Sequence, residues 1–269
     1  MIAWTESPVG TALVALAVIV VLALLTWAAS RVRRDVSLVD RMWPVFIASA
    51  ASVCVLARPV HTERAAWMLG LVLAWGLRLC VYVTMRNWGH GEDRRYQQIR
   101  ARNQPDFEFK SLYLIFGLQS VLAWVVAAPF LPSAGALQPL GKLDAAGIVL
   151  AAFGIAFETI GDAQMAAFKA ERANEGRVLD RGLWRYTRHP NYFGEACTWW
   201  GLWLLAVGGA GLGAAWTIVS PLLMTWLLLK VSGVSLLEKD ITERRPAYRD
   251  YIERTSAFLP RSPRPRASR

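Results

Sequence analysis

Seven apolar stretches, each near the length that crosses a lipid bilayer, constrain this chain more than any other feature. They cover residues 9–29, 42–57, 65–85, 111–131, 145–167, 191–207 and 214–230. About 20 apolar residues in helical geometry traverse the hydrocarbon core, and a helix satisfies its own backbone polar groups there. With 55% hydrophobic residues and 13 tryptophans among 269, a water-soluble fold could not bury so many runs. The expected fold class is therefore all-α, a polytopic membrane protein of seven transmembrane helices forming one domain over residues 1–269. The first run has no Lys or Arg before it and is longer than a signal-peptide core, so it reads as a retained first helix.

Charge orients these spans. Arg31, Arg33, Arg34 and Arg41 separate spans one and two, and Arg86, Arg94, Arg95, Arg100, Arg102 and Lys110 separate three and four. Lys169, Arg172, Arg177, Arg181, Arg185 and Arg188 separate five and six, and ten more basic residues begin at Lys230. The other connections hold only Arg58, Arg64 and Lys142. The positive-inside rule then puts the N-terminus outside and the C-terminus in the cytoplasm, in an inner membrane if the source is bacterial. Residues 231–269 form a cytoplasmic tail, with about 261–269 expected to be disordered. Much of the net charge of +10 follows from this rule, and it also suits anionic lipid headgroups.

Several function classes drop out. Cys54, Cys80 and Cys197 lie in apolar segments, and His61, His90 and His189 are scattered, so no metal site is expected. There is no Gly-x-Ser-x-Gly nucleophile turn and no Walker sequence. The glycines of 208–213 follow no strand and lack dinucleotide-fingerprint spacing. Arginine loops could serve nucleic acid, but membrane-bound loops and intramembrane polar groups argue against it. A non-enzymatic lipid-binding or transport protein stays open, although no internal repeat is visible.

Polar residues inside the spans carry more information. Arg78, Tyr82 and Arg86 recur every four residues and share a helix face. Glu158, Asp162 and Lys169 fall within an arc of about 40° at 100° per residue. Between spans five and six runs Gly182-Leu-Trp-Arg-Tyr-Thr-Arg188-His189-Pro190-Asn191-Tyr192-Phe193-Gly194-Glu195. Proline fits a first helical turn, so His189-Pro190 marks a helix start, and Asn191 and Glu195 share one face of that helix. Intramembrane charges of this kind either staple helices or line a functional cavity. Both readings stand at this point. Clustered arginines favour a phosphorylated ligand, because guanidinium engages phosphate bidentately.

This segment, with Gly161-Asp162 and Phe168-Lys169 upstream and Arg244-Arg245-Pro246-x-Tyr248 downstream, resembles the steroid 5α-reductase family, particularly its bacterial members. The resemblance is strong over the C-terminal half and weak over the N-terminal half. It implies seven helices with cytoplasmic loops covering a cavity for NADPH. Asn191 and Glu195 match positions near the nicotinamide. Asp162, Lys169 and Arg177 match positions that hold the dinucleotide, and Arg188 and His189 flank them. Arg78, Tyr82 and Arg86 align with a further cofactor-facing stretch. Asp40 is the candidate for the carboxyl group near the substrate's carbonyl oxygen. The family's substrate tyrosine falls nearer Trp75, which cannot donate a proton in the same way.

The expected chemistry is hydride delivery to the β-carbon of an enone in an apolar, steroid- or lipid-like substrate. Asp40, if protonated, would polarise the carbonyl oxygen with Asn191 and Glu195 at the catalytic end. The sequence leaves the oligomeric state open, a monomer being one arrangement that fits. Arg188-His189-Pro190-x-Tyr192-x-Gly194 also resembles the membrane methyltransferases that use S-adenosylmethionine, with Glu238 as a match for their C-terminal carboxylate. That is the alternative enzymatic reading.

Overall fold

The computed structural model describes residues 7–133, 135–231, 238, 241–244 and 246–265. The described residues form helices and no strands; one isolated bridge joins Thr187 and Ser256. Contacts cluster into two compact units where the sequence suggested one domain. The first is Met1–Ala145 with Trp203–Ser220, and the second is Ala146–Leu202 with Pro221–Arg269.

The first unit is built on α1 (Pro8–Arg33), α2 (Leu38–Leu56) and α3 (Glu63–Arg86). Ser7 starts α1 by accepting a bond from the Gly10 N–H at 3.0 Å, with Pro8 in the first turn where its missing N–H is harmless. Thr62 caps α3 similarly, accepting from Ala65 N–H at 3.2 Å. Helix α2 packs against both neighbours. It contains Pro44, whose carbonyl lies 3.3 Å from where a Gly76 Cβ would be, so the missing side chain allows α2 and α3 to approach there. The core includes Phe46, Ile47, Val72 and Trp75, all fully buried.

The long polar connection after α3 is partly helical. It holds α4 (Arg94–Arg102) and α5 (Phe107–Ser111), which passes through a π turn into α6 (Leu118–Val126). Trp124 of α6 donates to the Ala12 carbonyl of α1 at 2.8 Å. A short α7 (Phe130–Ser133) follows.

Helix α8 (Lys142–Ala170) and α9 (Pro190–Ala210) carry the expected fifth and sixth spans. The glycine run at 208–213 does not form a loop. Gly211 alone takes a positive φ of 57°, and the chain continues as a 3-10 segment (Gly211–Ile218), α10 (Val219–Trp226) and a π turn. Consequently, among the described residues six helical stretches are long and apolar enough to cross a membrane, and Pro190–Val231 counts as a single stretch of 42 residues. The expected break between the sixth and seventh runs coincides with a change of helix type, so the two runs count as one stretch. Leu77 and Val149 are 70% and 68% exposed on these helices. Such outward apolar side chains are compatible with an integral membrane protein.

After α9 and α10 the tail supplies α11 (Ile241–Arg244) and α12 (Tyr248–Arg254). Backbone N–H groups of Arg261 and Arg264 donate to Tyr186 and Arg254 carbonyls at 3.0 Å. Within the tail's expected disordered end, residues 266–269 lie outside the described residues, as does Arg245 of the Arg244-Arg245-Pro246 match.

Candidate functional site

In the second unit, helices α8 and α9 run antiparallel with their backbones in contact. Glycine recurs every seventh residue on both: Gly147, Gly154 and Gly161 in α8, and Gly194, Gly201 and Gly208 in α9. A Cβ on Gly154 would lie 2.5 Å from the Gly194 carbonyl oxygen, and one on Gly201 would lie 2.5 Å from Ala151 N. A Cβ on Gly194 would lie 2.6 Å from the backbone nitrogen of Glu158. Small residues allow such close helix contact in membranes, where packing replaces the hydrophobic drive. This pattern was visible in the sequence as two seven-residue repeats, and polar motifs alone did not reveal it.

The close approach determines where the polar residues lie. Glu158 sits beside Gly194, next in sequence to Glu195, while Pro190 and Asn191 lie against Gly161. Glu158, Asp162 and Glu195 are 2%, 4% and 6% exposed, so three carboxyl groups are buried along this helix pair. The Asn191 carbonyl oxygen Oδ1 is buried and has no hydrogen-bond partner among the described residues. Lys169 and Arg177 are exposed at and beyond the end of α8.

Arg188 and His189 serve a different geometry. Arg188 donates through Nε and Nη2 to Glu238 at 2.7 and 2.8 Å. Its Nη1 donates to the carbonyls of Ile252 and Thr255. His189 Nε2 lies 2.9 Å from Glu238 Oε1, and its ring stacks on Tyr192 at a 1° interplanar angle. The segment before α9 is therefore bound to the tail, an arrangement reinforced where Thr187 Oγ1 donates to Phe258 and Arg188 N–H to Ser256 at 2.8 Å each. Burial tends to raise the Glu238 pKa, but hydrogen bonds from His189 and Arg188 and the Arg188 charge outweigh it and hold the group at about 2. Tyr251 donates to the Trp184 carbonyl, and burial raises its pKa.

In the first unit, Asp40 accepts hydrogen bonds from Arg95 Nη2 and the Tyr96 hydroxyl, both at 2.6 Å. Helix α4, which the sequence left inside a loop, brings these two donors to the start of α2. Its neighbour Glu92 accepts from Arg100 at 2.8 and 2.9 Å and from Val36 N–H at 3.0 Å, anchoring the connection. Tyr96 is 4% exposed. Burial first, then the Asp40 charge, raises its pKa well above the ordinary tyrosine value, so it remains a protonated donor near neutrality. The sequence reading passed over Tyr96 and Arg95 as site residues, because only the fold makes them neighbours of Asp40.

On α3, Arg78 and Tyr82 are half-buried and Arg86 is exposed, on one face as their spacing required. Arg86 lies over the Tyr82 ring at 5.9 Å and donates to Asn87 Oδ1 at 3.1 Å. Trp75, nearest the expected tyrosine position, is fully buried. Among the described residues, no three His, Cys, Asp or Glu side chains converge as metal ligands.

Residues 26–255 match the family described as "Protein of unknown function (DUF1295)". The chain belongs to this family. An uncharacterized protein of Schizosaccharomyces pombe (strain 972), C594.04c, is 25% identical over 266 residues, covering 87% of this chain and 75% of the yeast protein. No solved structure matches the chain. The family match spans both units and includes Asp40, Tyr96, Asn191, Glu195 and Glu238. The yeast similarity covers most of both chains.

Proposed function

We propose that this protein is an NADPH-dependent membrane reductase acting on an enone double bond in an apolar, steroid- or lipid-like substrate. The observation that carries the reading is Asn191. Its buried carbonyl oxygen lacks a partner among the described residues, which is costly unless a donor satisfies it. A carboxamide N–H of a nicotinamide is such a donor. The buried Glu195, on the same face one turn later, would hold the other edge of that group. Lys169 and Arg177 are exposed cations suited to its phosphates. NADPH, when bound, supplies the hydride.

The remaining chemistry belongs to the chain. Tyr96 is the better-placed proton donor in the Asp40 cluster, because Asp40 accepts hydrogen bonds from both Arg95 and the Tyr96 hydroxyl. Its hydroxyl proton, resting on Asp40 Oδ1, is available to a carbonyl oxygen on which negative charge develops. A preformed donor of this type lowers the barrier most in a site that excludes water.

The sevenfold topology belongs to the same proposal. At about 1.5 Å per residue, 42 residues of helix extend about 63 Å, roughly twice the hydrocarbon thickness. We read Pro190–Val231 as two spans divided near Gly211, with the N-terminus outside and the C-terminus in the cytoplasm.

A second reading has its own support. Arg188, His189 and Glu238 meet in one cluster, as the methyltransferase resemblance would require. Identifying the cofactor that copurifies separates the two. NADPH supports the reductase, while S-adenosylmethionine or its demethylated product would replace it with the methyltransferase.

A further inference from the structure

At one end of the first unit the charges are sorted, with carboxylates engaged internally and arginines left facing outward. Two bonds tie the turn after α1 to the loop after α3: Val36 N–H donates to Glu92 at 3.0 Å, and Asp93 N–H donates to Ser37 Oγ at 3.2 Å. Arg34 closes α1 with a φ of 52°, so the chain turns at once and Arg33 and Arg34 stay close to these anchors. Arg94 follows directly after Asp93 and opens α4. Three arginines from two separate connections therefore share one platform.

The acidic side chains of the platform already have partners. Asp35 is 8% exposed and accepts from the Ser37 N–H at 3.0 Å and from the Ser37 hydroxyl, with Arg41 at 3.9 Å. Asp40 pairs with Arg95 at 2.6 Å and Glu92 with Arg100 at 2.8 Å. Asp93 caps α4 by accepting from the Arg95 N–H at 2.9 Å. Arg33, Arg34 and Arg94 are exposed, and among the described residues their side chains hold no hydrogen bond or ion pair. Asp93 alone of these four carboxylates has no arginine of its own to neutralise, so the platform keeps a surplus of positive charge.

Apolar side chains flank these arginines. Val32 near the end of α1, Met85 near the end of α3 and Trp88 just beyond it are 86%, 73% and 72% exposed. Both helices are long and apolar enough to cross a membrane, so their ends fall at headgroup depth, where tryptophan and arginine meet the lipid–water boundary. A soluble anion would satisfy the arginines and leave the three apolar side chains in water. A ligand with an anionic head and hydrocarbon chains covers both. The topology proposed above puts this end on the cytoplasmic face, whose leaflet carries anionic lipid.

We propose that this platform binds an anionic phospholipid, with its headgroup among Arg33, Arg34 and Arg94 and its acyl chains beside Val32, Met85 and Trp88. The proposal is independent of the reductase reading. The test is native mass spectrometry of the full chain ejected from nanodiscs that contain phosphatidylcholine with a minor share of phosphatidylglycerol. Phosphatidylglycerol should be enriched several-fold on the wild-type protein. A triple variant, Arg33→Gln with Arg34→Gln and Arg94→Gln, should lose this preference while its melting temperature is unchanged, because no internal bond is removed. A second triple variant, Arg172→Gln with Arg181→Gln and Arg249→Gln, removes the same charge from exposed positions of the second unit and should keep the preference. Equal losses in the two variants would mean that enrichment follows net charge, and would overturn the site, as would undiminished enrichment in the first. Melting of the first variant well below the wild type would assign its arginines to the fold instead. Displacement of phosphatidylglycerol by inorganic phosphate, but not by sodium chloride of matched ionic strength, would reassign the platform to a free anion and overturn the lipid proposal.

Discussion

Gly154 and Gly194 bring α8 and α9 together backbone to backbone: a Cβ on Gly194 would lie 2.6 Å from the Gly154 carbonyl oxygen, and one on Gly154 would lie 2.5 Å from the Gly194 carbonyl oxygen. Neither neighbour is a flexible side chain that can move aside. Gly194→Ala should therefore cost about 1–3 kcal/mol and lower the melting temperature in detergent by several degrees. Gly70→Ala, where nothing lies within 4 Å, is the control and should leave it unchanged. Equal stability of the two variants would mean that α8 and α9 are farther apart than described.

Glu238 links the tail to Arg188 and His189, and the linkage has a defined pH signature. Its pKa falls from 4.5 to about 2 on folding, so the stabilisation is complete above 4.5 and is lost as pH falls through 2. The two values correspond to about 3 kcal/mol. Glu238→Gln should melt below the wild type at neutral pH, and the two curves should converge as acid approaches pH 2. Parallel curves would exclude Glu238 as the titrating latch.

Tyr96 and Asp40 divide their roles if Tyr96 is the proton donor. Tyr96→Phe removes the donated proton and retains most of the packing, so enone reduction should fall on the order of 100-fold while NADPH binding is unchanged. Asp40→Asn retains a hydrogen-bond acceptor but leaves Arg95 without its anion, so it should lower thermal stability as well as rate. Single-turnover NADPH oxidation with a steroidal enone measures the first, and melting measures the second.

If the exposed Arg177 reads the 2′-phosphate of NADPH, that contact should be screened by salt. Arg177→Ala should weaken NADPH more than NADH, and the wild-type preference for NADPH should narrow at high ionic strength. Titration calorimetry with both nucleotides measures this. Equal losses would assign Arg177 to the shared pyrophosphate.

Glu195→Gln keeps the side-chain shape and removes a charge that is 6% exposed. If the carboxylate orients the nicotinamide, hydride transfer should fall about 10- to 100-fold with melting preserved or raised, because a charge-assisted hydrogen bond is worth about 1.5–3 kcal/mol. A structural staple would give the opposite ordering: loss of stability, with normal turnover in the folded fraction. A stable and fully active variant would remove Glu195 from both roles.

The sequence by itself determined the helical class, the bilayer-length runs and the helix start at Pro190. These depend on composition and on local capping and proline chemistry, which neighbouring residues decide. It also placed Asn191 and Glu195 on one face, since spacing along a single helix is fixed by its pitch. Tertiary structure alone decided which side chains meet. Asp40 gains Arg95 and Tyr96 from 55 and 56 residues away, and Arg188 gains Glu238 from 50. Arg64 finds Asp144 across 80 residues and becomes a buried hub. Periodicity cannot report such pairs, because it records which face a residue occupies but not what packs there. The glycine-rich run 208–213 marked a possible turn, but its form, a 3-10 segment beginning at a positive-φ Gly211, was decided by the fold.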